Sequence, residues 1–371
     1  MRTDAGLRAR VEGAIGRSVA WLDTMQAGGL PHGVSRISAS HDPSAWPGVL
    51  LPGTYNAVMC RDLLSAAAGL DAAGTCGWLL RHRLPDGRFR VPGMAAADVF
   101  KKPDPNETWR YLDWHATNYA LGAIEALAPA EVPVLDFALP YLDPQALKAW
   151  LADRDLRDPW QEGNNQVNLG SFLLLMRRHR LADAGAVDAA LAIQFRWHDR
   201  LQEPSTGFWG VGQAHDDTMA LHAMAGSMHD FHLWYATERP LPYQDCAVDW
   251  ALGRRPEVVS ACIDVDLVDL LAHGWRLLDH RRPDIEAWMR AQLPRLLDFQ
   301  GQDGGFADET AGTRRQDGWV RGYAEPQGIS NTFATWFRWV AIAFIAEVLW
   351  PGWRPWGFRR TPGIGYRMEA W

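Results

Sequence analysis

Residues 115–122 read HATNYALG, a polar turn that passes at once into apolar sequence. A helix has that order when its body is buried on all sides and only its first turn meets polar surroundings. Five other stretches begin the same way: GTYNAVM from Gly53, NNQVNLGS from Asn164, HDDTMALH from His215, CIDVDLVDL from Cys262 and SNTFATWF from Ser330. Taking Asn56, Asn118, Asn168, Thr218, Asp266 and Thr335 as one equivalent position per helix gives intervals of 62, 50, 50, 48 and 69 residues. The longer intervals absorb loops, notably residues 86–113.

Amphipathic helices are predicted between these six, near residues 6–27, 71–84, 143–156, 185–202, 243–254 and 282–300, with charge on the side that meets water. Alternating β-branched runs are nearly absent, so strands are not expected. Six apolar helices alternating with six amphipathic ones predict an all-α fold, an (α/α)6 toroid with six inner and six outer helices. An open solenoid would not confine polar residues to one end of every apolar helix. The toroid is predicted to span residues 1–350 as one domain. A Trp- and Arg-rich tail, 351–371, is expected to pack on it.

The bulk composition narrows the partners. Formal net charge is −7 with no basic run, which argues against nucleic acid. Cys60, Cys76, Cys246 and Cys262 show no C-x-x-C spacing, so neither a zinc knuckle nor a redox pair is signalled. The start, MRTDAGLRARVEG, lacks the apolar core of a signal peptide. The apolar stretch 340–350 contains Glu347 and is too short to span a bilayer. A soluble, cytoplasmic protein is therefore expected, without an integral membrane segment; the oligomeric state is left open. The 20 Trp either pack helix layers or present flat, weakly polar surface to a small-molecule or oligosaccharide substrate.

Two loops carry a family resemblance. Gln300-Gly301-Gln302-Asp303-Gly304-Gly305-Phe306 and Gln202-Glu203-Pro204-Ser205-Thr206-Gly207-Phe208-Trp209 resemble the glutamine–tryptophan repeats of terpenoid cyclases and protein prenyltransferases, and GTYNAVM looks like the helix start that follows such repeats. Class II terpenoid cyclases protonate a prenyl chain with the middle Asp of D-x-D-D-T-A. Ala214-His215-Asp216-Asp217-Thr218-Met219 is similar in its D-D-T part, with Ala214 where the first Asp would stand. The resemblance implies Asp216 as the acid, with Asp217 and His215 tuning or orienting it. Asp264-Val265-Asp266-Leu267 is a second partial match. The prenyltransferases' zinc motif, D-x-C with a distant His, is missing its D-x-C here, and no metal or other cofactor is expected.

Read without the resemblance, the same residues leave two roles open. Asp216 or Asp217 would cap a helix start, where unpaired N–H groups attract negative charge. Alternatively one of them, in an apolar cavity beside another carboxylate, would hold its proton and act as an acid. His215, His222 and His229 recur every seven residues and share a face, with His232 three further on. His229 and His232 are near enough to share a metal, although a hydrogen-bonded structural role fits them as well. Trp160, Glu162, Asn164, Asn165 and Asn168 crowd the start of the third apolar helix, and His115 with Asn118 repeats the pattern on the second. Asp266 and Asp269 share a face of the fifth helix, while Asp264 reads as a cap. Asn56 and Trp336 complete the expected substrate-binding set of Asn56, His115, Asn118, Trp160, Glu162, Asn164, Asn168, His222, Asp266 and Trp336.

This chemistry suits a terpenoid cyclase, which needs one acid over aromatic faces that stabilise carbocations. It also suits a carbohydrate-active enzyme, which needs paired carboxylates and aromatic platforms. A ligand-binding toroid without turnover is the third possibility.

Overall fold

The computed structural model describes residues 4–94, 104–210, 217–308 and 320–357. Asp-Pro pairs start three of its helices. Asp104, Asp143 and Asp158 each accept a hydrogen bond from a first-turn N–H, and the proline after each supplies the φ that a helix start needs. Asp71, Asp183, Ser260 and Asn331 cap four more. The helices are α1 (Asp4–Thr24), α2 (Leu50–Leu63), α3 (Ala72–Leu80), α4 (Pro105–Leu127), α5 (Pro144–Ala152), α6 (Pro159–Arg178), α7 (Ala184–Leu201), α8 (Asp217–Ala236), α9 (Gln244–Leu252), α10 (Ala261–Leu277), α11 (Arg282–Asp298) and α12 (Thr332–Leu349). Extended pairing among the described residues is confined to isolated bridges, so the chain is all-helical as expected.

The even-numbered helices are the apolar ones. They pack in sequence, α2 on α4, α4 on α6, α6 on α8, α8 on α10 and α10 on α12, and α12 returns to α2. Five odd-numbered helices lean on them: α3 on α4, α7 on α6, α9 on α10, α11 on α10 and α12, and α1 on α2 and α12, while α5 packs on α7. Cross-helix contacts advance together along both partners. Asn118 meets Asn168 and Glu125 meets Arg178; His232 meets Asp269 and Tyr235 meets His273; Asp264 meets Arg338 and His273 meets Phe344. Gly163 faces Gly226 and Gly170 faces Leu233. The helices α4, α6, α8, α10 and α12 therefore run parallel.

A repeated contact ties loops to the even helices. The backbone N–H of Ser35 donates to Thr54 Oγ1 at 3.1 Å, Phe89 to Thr117 Oγ1 at 2.8 Å, Trp209 to Ser227 Oγ at 2.8 Å and Phe306 to Thr335 Oγ1 at 2.9 Å. A glutamine holds three of these loops from behind. Gln26 Nε2 donates to Pro31 O at 3.1 Å, Gln202 Nε2 to Gly207 O at 2.7 Å and Gln300 Nε2 to Gly304 O at 3.0 Å. The Gln and the aromatic residue of the loop repeats are thus structural parts of the turn.

These hydroxyls correct the expected register. Thr335 is the repeated position on α12, as read from the sequence, but on α8 it is Ser227, and Thr218 lies nine residues earlier in an exposed first turn. On α2 and α4 it is Thr54 and Thr117, beside Asn56 and Asn118. Residues 105–113, expected as loop, are helical because Asp104-Pro105 starts α4 early. From that first half Asp113 grips Arg88 at 3.0 Å and Arg90 at 2.6 Å.

By length and composition α12 could cross a membrane. It is longer than the apolar stretch 340–350, and 94% of it is buried. Packing against α2, α10 and α11 accounts for its apolarity. After α12, Gly357 N–H donates to Leu63 O at 2.8 Å and the Trp356 ring lies 6.1 Å from Trp339.

Candidate functional site

The hydroxyl contacts fix which way each even helix faces. A residue two places later is turned by about 200°, away from the loop. That position holds Asn56 on α2, Tyr119 on α4, His229 on α8 and Phe337 on α12, with His115 and Phe333 one turn earlier on α4 and α12. Four of these side chains, Tyr119, His115, Phe337 and Phe333, meet. Tyr119 stacks on Tyr55 at 5.4 Å, and its edge or face meets Trp336 at 5.6 Å, Phe337 at 6.4 Å and His115 at 4.6 Å. The face away from the loops is thus aromatic across α2, α4 and α12.

Across α4, α6, α8 and α10 it turns polar. Asn118 Nδ2 donates to Asn168 Oδ1 at 2.8 Å, leaving Asn118 Oδ1 and Asn168 Nδ2 without partners. Asn56 is buried with neither amide atom bonded. His229 Nε2 lies 3.5 Å from Asp266 Oδ1, and Cys262, one turn before Asp266, brings its sulfur into the same group. Burial lowers the affinity of His229 for its proton, but Asp266 with Asp230 and Asp269 together outweigh it and the pKa rises. Burial also pushes the Asp266 carboxyl up, against the pull of His229.

Several expected site residues do other work. Glu162 is buried beside Arg154 at 3.3 Å, a guanidinium it shares with Glu107 at 3.0 Å. That makes it a structural anion rather than an acid. Asn164 Nδ2 donates to Trp160 O at 3.1 Å within its own helix, and the Trp160 ring packs 5.2 Å from His222. Asp217 stands in the exposed first turn of α8, 3.5 Å from Arg254, so it does not line a cavity. Asp216 and His215 lie outside the described residues. Asp264 does not cap α10, since Ser260 does that; it pairs instead with Arg338 of α12. His229 and His232 do not share a ligand, because His229 faces Asp266 while His232 binds Asp269 at 2.8 Å. The expectation of no metal also meets a difficulty, because His229, Cys262 and Asp266 bring their ligand atoms within 4.8 Å of one another.

Cys262, His229, Tyr119 and Phe337 were outside the set expected from sequence. The signal that finds them is the hydroxyl register, since three of the four sit two residues past a Thr or Ser that binds a loop. At the other end of the molecule, a pocket of about 540 Å³ opens at the C-terminal ends of α8 and α10, lined by Trp234, Tyr235, Leu241, Gln244, Arg276 and Leu278. Compared with protein-family models, curated proteins and solved structures, the chain matches none.

Proposed function

We propose that the chain is an (α/α)6 toroid, even-numbered helices inside and odd-numbered outside, and that it cyclises a prenyl substrate by protonation in the manner of the terpenoid cyclases its loops resemble. The cyclic packing of the even helices and their shared direction support the toroid. The aromatic surface that Tyr119 forms with Tyr55, Trp336 and Phe337 carries the substrate reading. Such faces attract cations and fold an apolar chain without hydrogen-bonding it. Asp216, which precedes Asp217 in the sequence, is the proposed acid, in a soluble cytoplasmic protein acting on a small molecule.

The test is incubation of the purified protein with linear prenyl diphosphates. Cyclised product is expected, and Asp216→Asn should lower turnover by roughly 100-fold or more with the melting temperature unchanged. Absence of cyclised product, or a fully active Asp216→Asn, defeats the proposal.

A carbohydrate-active enzyme is the second reading, and the unbonded amides of Asn56, Asn118 and Asn168 favour it. Buried amide atoms without partners are costly unless a polar ligand or water satisfies them. Engagement of Glu162 by Arg154 weighs against a two-carboxylate glycosidase, which needs one carboxyl to hold a proton. Turnover of oligosaccharides rather than prenyl diphosphates would select this reading.

A further inference from the structure

Asp266 is 1% exposed, yet neither of its carboxylate oxygens makes a hydrogen bond among the described residues. Its nearest cationic partner, His229 Nε2, stands at 3.5 Å, and the other imidazole nitrogen, Nδ1, is also buried without a partner. A carboxylate buried in that state costs several kcal/mol unless a cation compensates it. Arg338, the buried arginine that α12 sends toward α10, is already taken by Asp264 and Asp308 O. What does surround Asp266 is a second and third metal-binding side chain. Cys262 is on the preceding turn of α10, and His229 projects from α8 against both.

We propose that His229, Cys262 and Asp266 form a zinc site between α8 and α10. One nitrogen, one sulfur and one oxygen are the donors zinc accepts, and calcium or magnesium would not select a thiolate. A tetrahedral zinc with bonds of about 2.0–2.3 Å keeps its ligands roughly 3.3–3.8 Å apart. The three atoms, all within 4.8 Å of one another, reach that spacing by side-chain rotation of about 1 Å. Three protein ligands leave a fourth position for water or a substrate oxygen. The zinc charge would satisfy the orphaned carboxylate and fix His229, whose ring belongs to the face away from the loops. The site draws on neither Asp216 nor the aromatic surface, so it stands or falls separately from the prenyl reading.

The full chain, stripped with a chelator, is titrated with Zn2+ alone and with Co2+ alone, without substrate. One equivalent of each should bind, and the cobalt form should show a thiolate-to-cobalt absorption band. Cys262→Ser should abolish that band and weaken zinc binding at least roughly 100-fold, the upper end of what loss of even an outer partner costs. Cys246→Ser should change neither. Asp266→Asn keeps the side-chain shape and removes the charge, and it should weaken zinc similarly with an unaltered circular dichroism spectrum. No zinc binding by the parent chain overturns the proposal, as does cobalt bound without a thiolate band. Unchanged zinc affinity in whichever of the two variants folds also overturns it.

Discussion

Asp264 on α10 and Arg338 on α12 form an ion pair closed to water on both sides. Arg338 also donates to Asp308 O at 2.7 Å, and Asp264 accepts the Val259 N–H at 3.0 Å. Breaking such a pair strands a charge in the interior. Arg338→Met should therefore cost about 3–5 kcal/mol, read from urea unfolding. Replacing both, as Asp264→Asn with Arg338→Met, should recover part of that loss; a double variant less stable than the single one would show that the pair is not coupled.

The loop contacts predict a matched set of smaller losses. Ser227→Ala leaves the Trp209 N–H without its acceptor, and Thr335→Val does the same for Phe306. Each should destabilise by about 1–3 kcal/mol. Thr218→Ala, in the exposed first turn of α8, should fall within about 0.5 kcal/mol of the parent. Equal losses at Thr218 and Ser227 would contradict the corrected register.

Asp269 gives a pH dependence with a defined sign. Burial alone would raise its pKa, but His232 at 2.8 Å and His273 at 2.6 Å together hold it below the usual carboxylate range. A depressed folded-state pKa contributes stability above the unfolded value of about 3.9, and loses it as pH falls through the folded one. Asp269→Asn should thus be much less stable than the parent at pH 6. The gap should narrow as pH drops below about 4, in chemical unfolding followed across that range. A gap independent of pH would rule out the carboxylate charge as its source.

Two glycines on helices should respond in opposite directions. A Cβ at Gly226 would stand 2.1 Å from the backbone oxygen of Pro159, whereas one at Gly16 on α1 meets nothing within 4 Å. Gly226→Ala must push α8 off α6 and should lower the melting temperature sharply or prevent folding. Gly16→Ala should stabilise by about 0.5–1 kcal/mol through helix propensity.

The helices were legible because burial writes itself into composition. Predicted segments such as 185–202 and 282–300 coincide within two residues with α7 and α11, since an amphipathic surface helix needs its charged stripe. The start of α4 was misplaced because capping by Asp104 and Pro105 was outweighed by a Gly- and Pro-rich neighbourhood. The site was less legible. Glu162 was expected to bind substrate because no sequence pattern announces that Arg154, eight residues earlier in the loop between α5 and α6, will pair with it. Cys262 was not expected as a ligand because it has no C-x-x-C partner and its other neighbour, His229, lies on a different helix. Asn56 and His115 were expected at the site because polar groups in apolar helices have to face something.

The packing of α12 on α1 and on the loop before α2 joins residues far apart in the sequence. Trp339 Nε1 donates to Ser18 Oγ at 2.8 Å across 321 positions, and Thr332 N–H donates to Ile37 O at 2.8 Å. A ribosome adding roughly 5–20 residues per second leaves Ser18 waiting roughly 16–64 s for Trp339. Throughout that interval α2 carries an apolar flank that only the last helix covers. Nascent chains halted before residue 332 should therefore bind chaperones and be cut readily by protease. Chains released with α12 intact should turn resistant in one step, because a segment synthesised late is the one that protects an early one.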